Sequence, residues 1–205
     1  MPEVRRLIAR RTMRTVRPVD LAGVYADPRA VLRRLERDGA VHRMAFGYYC
    51  EVPADADPAT WMPSLESAAM AIAAARGGPG EPVLMGMSAA RVHGALPRAI
   101  ATAGVAVDAA GRRPVRLLDR TAVIRFSQRA TARVDAERVL LDLGPALVTT
   151  PEQTLLDLLR FAPDDPETPA AVRALWARVD EAVLADVARA GRGAAALSRA
   201  QAMRA

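Results

Sequence analysis

Lysine is missing from the chain: all 29 basic residues are arginine. In so Ala-rich a sequence this points to a GC-rich genome, so the preference for Arg over Lys carries no chemistry by itself. Cysteine occurs once, at Cys50, which excludes an internal disulfide. Histidine occurs twice, at His42 and His93, which excludes a His-rich metal site, and no Cys/His cluster has zinc-ligand spacing. Long apolar runs are also missing. The longest, Ala68 to Ala75, has eight residues against the ~20 of a membrane-spanning helix. The opening MPEVRRLIARR is basic without an apolar stretch, so no secretory leader is expected. These absences lead to the expectation of a cytoplasmic protein without metal or cofactor.

What is present is 205 residues, enough for one domain, or a small one and a medium one, with a real core. The net charge of +6 is unevenly placed. Residues 1–52 hold 11 Arg against 6 Asp and Glu, a net of +5, and the remainder is close to neutral. A basic module joined to a neutral one reads as a nucleic-acid-binding head on another domain. The bland alternative is a solvated basic surface.

The first quarter supports the sharper reading. Val4, Leu7 and Ile8 share a helical face. The period is lost over Thr12 to Val16. Pro18 opens a short second helix that Gly23 can end. Asp27 is an N-cap followed by Pro28 at the first helical position, and Gly39 stops the next helix after Asp38. In that helix Val31, Leu32 and Leu35 form an apolar stripe. Arg29, Arg33 and Arg37 line another face, flanked by Arg34. Such a face can contact phosphates or a guanine edge. It can equally be a solvated surface stitched by the pairs Arg33–Glu36 and Arg34–Asp38. Two strand-like runs follow, residues 40–44 and 48–52, with Gly47 in the turn between them. Helix, short helix, basic helix and β-hairpin are the order of a winged helix-turn-helix. The expected DNA-binding residues are Arg17, Arg29, Arg33, Arg34, Arg37, Arg43 and Tyr48, with Phe46 at the hairpin tip. Tyr48 and Tyr49 alternate, so one of them belongs to the core. His42 is expected to be a surface residue without special role.

Residues 53–60, PADADPAT, read as a linker. Residues 61–205 read as an α+β domain with a small sheet of roughly four strands and C-terminal helices. Ser64 caps a helix from Leu65 to Arg76, which the run from Gly77 to Gly80 breaks. Strands are expected at 83–85, 105–107, 115–118, 122–126, 139–141 and 147–149. Helices are expected at 87–96, capped by Ser88, at 151–160, at 170–190 and at 193–203. Thr150, Pro151 and Gln153 form a helix start with a capping box.

No catalytic constellation emerges. Ser88 and His93 lie five apart and do not face each other on a helix. Asp164, Asp165 and Glu167 lie among three prolines, which makes a rigid polar turn a better reading than a metal loop. Gly77 to Gly80 lacks the Lys-Ser/Thr of a phosphate loop. Leu155, Leu156 and Leu159 are core candidates, and Asp157 among them is a surface or paired carboxylate. Arg112, Arg113, Arg116 and Arg120 are candidates for a second grip on DNA.

Two segments carry a resemblance. Met87–Leu96, MSAARVHGAL, resembles the Ser-Ala-x-x-x-His-Gly-Leu helix of the AbiEi antitoxin family, with Ala95 where the family often has Leu. Leu147–Leu159, LVTTPEQTLLDLL, is similar to that family's Val-Thr-x-Pro-Glu-x-Thr-Leu-x-Asp-Leu segment. Their order behind a winged helix fits the family along nearly the whole chain. Some relatives continue into a nuclease-like domain, which is not expected here. The resemblance implies a non-enzymatic antitoxin of the abortive-infection, type IV kind. It would bind double-stranded DNA of its own promoter and repress its own operon; a homodimer on that DNA is a separate expectation. It would also neutralise a cognate nucleotidyltransferase-type toxin without need of a stable complex. The alternative is a stand-alone winged-helix transcription factor with a ligand-sensing C-terminal domain.

Overall fold

The computed structural model describes residues 2–191 and 193–204 as a mixed α+β molecule with two sheets. Local chemistry sets the first elements. Helix α1 (Pro2–Ala9) buries Val4 and Ile8 and exposes its arginines. A 3-10 turn over Pro18–Leu21 stands where the short second helix is expected. Helix α2 (Pro28–Arg37) starts where Asp27 accepts a hydrogen bond from the Ala30 N–H at 2.9 Å. It stops before Gly39, whose φ of +68° suits glycine and whose missing Cβ would lie 2.7 Å from Pro58. Strands β2 (Val41–Ala45) and β3 (Tyr48–Glu51) form an antiparallel hairpin with a register irregularity between Arg43 and Ala45. A further strand, β1 (Thr15–Val16), pairs with β3 and gives the order β1-β3-β2. It falls in the stretch without period, because two residues are too few to show an alternation.

Helix α3 (Leu65–Arg76) organises the rest. Ser64 caps it by accepting from the Ser67 N–H at 3.3 Å. Every residue from Leu65 to Ala73 is buried. A helix covered on all sides must have partners on all sides. Met44, Ala45 and Cys50 of the hairpin pack on it within the same cluster as Leu84, Val105, Ile124 and Val148 of the larger sheet. Alanine side chains let both sheets approach closely. The N-terminal sheet is thus covered on both faces: Val16, Val41 and Tyr49 meet α1 and α2, while Met44, Ala45 and Cys50 meet α3. Two hydrogen bonds add to the joint, from Leu118 N–H to the Met44 carbonyl at 2.9 Å and from the Arg120 guanidinium to the Pro63 carbonyl at 2.6 Å. The residues 53–60 hold no helix or strand, yet Pro58 is seated on Gly39.

The second sheet has six strands where a sheet of roughly four is expected, and each strand falls on a segment read as a strand from the sequence. It contains β4 (Val83–Met85), β5 (Thr102–Val107), β6 (Val115–Arg116), β7 (Val123–Gln128), β8 (Ala136–Leu141) and β9 (Gly144–Thr149), in the order β6-β7-β5-β4-β9-β8. The pairs β4–β9 and β5–β7 are parallel and the others antiparallel. Alternation puts Leu84, Val105 and Val148 toward α3, with Val83, Met85 and Ala106 on the opposite face.

Helices α4 (Met87–Val92), α5 (Pro151–Phe161), α6 (Thr168–Leu175), α7 (Glu181–Ala190) and α8 (Ala194–Arg204) form a separate apolar cluster that includes Leu155, Leu158, Leu175 and Leu184. Three local expectations fail here. Ser88 does not cap α4; it lies inside the helix, and its hydroxyl accepts from the Gly104 N–H at 3.2 Å. Gln153 does not close a capping box. Thr150 does accept from the Gln153 N–H, but the Gln153 side chain donates to Asp157 at 2.8 Å instead. The helix expected over 170–190 is broken, because Val179 and Asp180 are extended and Asp180 caps α7 by accepting from the Ala182 and Val183 N–H groups.

Candidate nucleic-acid interface

The basic face of α2 follows from what its apolar face does. Leu32 and Leu35 are fully buried against the N-terminal sheet. That anchoring turns Arg29, Arg33 and Arg37, spaced one helical turn apart, to solvent, with Arg34 exposed beside them. Among the described residues no ion pair involves Arg29, Arg33 or Arg37. The anticipated Arg33–Glu36 pair is therefore not made. The Arg34–Asp38 pair forms at 3.8 Å between two exposed side chains, an arrangement that water screens and that contributes little. Three guanidinium groups in a row remain available to an anionic partner.

The other expected residues are placed differently. Arg17 is committed to its own turn. Its guanidinium lies 3.0 Å from the Asp20 carboxylate, which also accepts from the Arg17 N–H at 2.8 Å. These hydrogen bonds, with the charge of Asp20, raise the Arg17 pKa and hold Asp20 below the usual carboxylate range in spite of its partial burial. Arg43 rises from β2 with its guanidinium carbon 4.9 Å from the Phe46 ring centroid and 5.8 Å from that of Tyr49. Its Nε is buried without a partner. Phe46 at the hairpin tip is 83% exposed, the most open large apolar side chain of the module. Tyr48 packs against the α3 cluster and Tyr49 is buried in the N-terminal core, so neither ring stands free. The alternation of the two tyrosines assigned one to the core; with sheets covered on both faces, both are covered.

Sequence reasoning left out the arginines of α1 and the turn after it. Arg5, Arg6, Arg10, Arg11 and Arg14 are all exposed. Their signal was the same imbalance of charge over residues 1–52. Of the candidates for a second grip, Arg113 and Arg116 are exposed. Arg120 is held by Asp119 at 3.0 Å and by the Pro63 carbonyl, and Arg112 donates to the Gly77 carbonyl.

His42, expected to be an idle surface residue, joins the N-terminal sheet to the body. Its Nε2 lies 2.8 Å from the Asp119 carboxylate, and its ring meets Trp61 edge to face at 6.0 Å. Burial works against ionisation of Asp119, but hydrogen bonds from His42 and Arg120 outweigh it and hold the carboxyl below its ordinary value.

The two segments that carry the family resemblance meet each other. His93 Nε2 is 2.7 Å from the Thr149 carbonyl, and the Thr149 and Thr154 hydroxyls are 2.7 Å apart. Ala90 and Ala95 share an apolar cluster with Leu155, Leu156 and Leu159. Asp157 is buried, paired with Arg129 at 2.7 Å, and burial raises its pKa despite that partner. These residues hold the helices together; their polar groups are already engaged within the protein. Ser88 and His93 are each bonded elsewhere and form no nucleophile–base pair.

Among the described residues no group of three or more His, Cys, Asp or Glu side chains is arranged to hold a metal ion. In the proline-rich loop Glu167 instead pairs with Arg98 at 2.6 Å. No helix of the described residues is long and apolar enough to cross a membrane. No protein-family model matches the chain, and no curated protein matches it by sequence.

Proposed function

We propose that this chain is a DNA-binding antitoxin without enzymatic activity, which represses its own operon and neutralises a nucleotidyltransferase-type toxin encoded beside it. The observation that carries the DNA-binding half is the row Arg29, Arg33 and Arg37, exposed on α2 while Leu32 and Leu35 bury the other face. The element order supports a winged helix-turn-helix reading. In that reading α2 is the recognition helix, β2 and β3 are the wing, and Phe46 with Arg43 stands at its tip. The exposed arginines of α1 extend the positive surface. The antitoxin half rests on the resemblance of Met87–Leu96 and Leu147–Leu159 to the AbiEi family. It gains support from the packing of those segments on each other. The expected partners are promoter DNA, bound as a homodimer, and the toxin, with no stable complex required.

The test is fluorescence anisotropy with DNA from the chain's own upstream region and a shuffled control, over roughly 50 to 200 mM salt. The expected result is preference for the upstream DNA with a steep salt dependence. Arg33→Ala combined with Arg37→Ala lowers the salt slope by about one for each lost phosphate contact. It costs roughly 1–3 kcal/mol for each lost base contact. Equal weak binding to both DNAs, or unchanged affinity in the double variant, overturns the reading. Coexpression with the neighbouring nucleotidyltransferase tests the second half: growth is restored if the chain is its antitoxin.

A further inference from the structure

A cavity of about 210 Å³ lies where the N-terminal module meets the body. Its apolar wall comes from Met13 of the module, from Met70 and Ala73 of α3, and from Ala146 and Leu147 of β9. The loop Gly77–Gly80, Glu81 and Arg112 also line it. Three features set this cavity apart from a packing defect. The first is its size, larger than the roughly 150 Å³ that accommodates a benzene ring and smaller than the range typical of drug-sized ligands.

The second feature is Arg112. Its guanidinium donates to the Gly77 carbonyl, while its Nε is buried with no partner in the protein. The guanidinium brings a positive charge to the wall of the cavity, where a carboxylate can accept a charge-assisted hydrogen bond from it. The nearby carboxylates are already engaged: Glu81 pairs with Arg138 at 2.7 Å, and Asp108 accepts from the Thr131 N–H and hydroxyl. The glycine loop is shaped around these groups. A Cβ on Gly78 would lie 2.5 Å from Arg112 Nη2, and one on Gly80 would lie 1.8 Å from Asp108 Oδ2. The third feature is the backbone of Met13. It is a buried non-glycine residue at φ +50°, followed by Arg14 at φ +44°. Left-handed conformations at two successive L-residues are unfavourable, and such positions cluster at functional sites.

The geometry points to this cavity as a binding site for a small carboxylate with a compact apolar body, about the size of benzoate. The carboxylate meets Arg112, and the apolar body fills the space between Met13 and Met70. Because Met13 belongs to the turn that leads into β1, the occupant ties the basic module to α3 and the larger sheet.

The probe is benzoate, compared with uncharged benzyl alcohol, titrated into the full chain labelled with methyl-13C methionine. The methyl signals of Met13 and Met70 are assigned with Met13→Leu and Met70→Leu. Benzoate is expected to move both signals saturably and to leave those of Met87 and Met203, in the C-terminal helical cluster, in place. Arg112→Gln should weaken benzoate at least tenfold while leaving benzyl alcohol unaffected. Ala74→Leu, at another wall position, should block both. Chain melting should rise with benzoate concentration in the wild type only. Unmoved Met13 and Met70 signals at millimolar benzoate, or equal binding of benzoate by wild type and Arg112→Gln, overturns the proposal. None of these readouts involves DNA, so the site and the DNA-binding function stand or fall separately.

Discussion

At the scale of single residues, the lone thiol and the two titrating aspartates show how position overrides residue type. Cys50 is pushed up to about 12 by burial, reinforced by the negative charge of Asp119. At neutral pH it is an inert thiol, a small apolar filler between the hairpin and α3. Asp119 and Asp157 are both paired with arginine, yet shift in opposite directions. Asp157 is buried deeply enough that desolvation dominates; at Asp119 the hydrogen bonds from His42 and Arg120 win. The two therefore act oppositely on acid stability. The folded-state pKa of Asp119 lies below its ordinary 3.8. Its contribution is full above that value and is lost as pH falls through the lower, folded-state value. Asp157 contributes through its protonated form, and that contribution is lost as pH rises through its raised value. Asp119→Asn should therefore flatten the fall in urea midpoint as pH is lowered below about 4. A variant that falls as steeply as the wild type would show that the His42–Asp119–Arg120 contact does not stabilise the joint.

At the scale of elements, α2 is the clearest case of a helix written in its own sequence. Asp27, Pro28, the Leu32–Leu35 stripe and Gly39 give its start, its buried face and its stop. Because the Asp27 carboxylate satisfies a backbone N–H that the helix itself cannot satisfy, Asp27→Ala should lower unfolding stability by ~1 kcal/mol. Arg33→Ala, on the exposed face, should change it by no more than about 0.5 kcal/mol. Urea denaturation separates the two. Equal losses would mean that the arginine row is part of the fold and not a free surface. Elements without such local signals were illegible. Strand β1 is two residues long, and the break at Val179–Asp180 lies inside an otherwise helical stretch. There Asp180 bonds to nearby N–H groups in competition with helix continuation, which residue periodicity does not register.

At the scale of the whole molecule, α3 decides the architecture. It is buried between the two sheets, so the N-terminal module lacks a solvent face on the side of Met44, Ala45 and Cys50. Residues 1–52 made alone should therefore show no cooperative thermal transition by circular dichroism, because that apolar face is left open to water. The full chain should show one. A cooperative melt of the fragment would mean that the module is a free-standing domain and that its contact with α3 is incidental. The same sandwich limits how the basic surface can be presented. It leaves α1, the outer face of α2 and the hairpin tip open, and covers both faces of the three-stranded sheet.

The sequence by itself determined the helix caps at Asp27, Ser64 and Thr150, the apolar stripes, the hairpin turn at Gly47 and the concentration of positive charge in the first 52 residues. Each of these depends on neighbours within a turn or two of the chain, or on composition alone. The tertiary structure decided what depends on residues far apart. It paired β4 with β9 and β5 with β7, and it gave α3 a sheet on each side. It drew Arg17 to Asp20, Tyr48 to the α3 cluster and His42 to Asp119, while leaving Arg29, Arg33 and Arg37 in solvent. It also brought Met13 to α3 and Arg112 to the loop after it, enclosing a cavity that no single stretch of sequence announces. The physical reason is the range of the interactions: capping and periodic burial act within one element, whereas burial between elements and the pairing of charges follow from which surfaces the folded chain brings together.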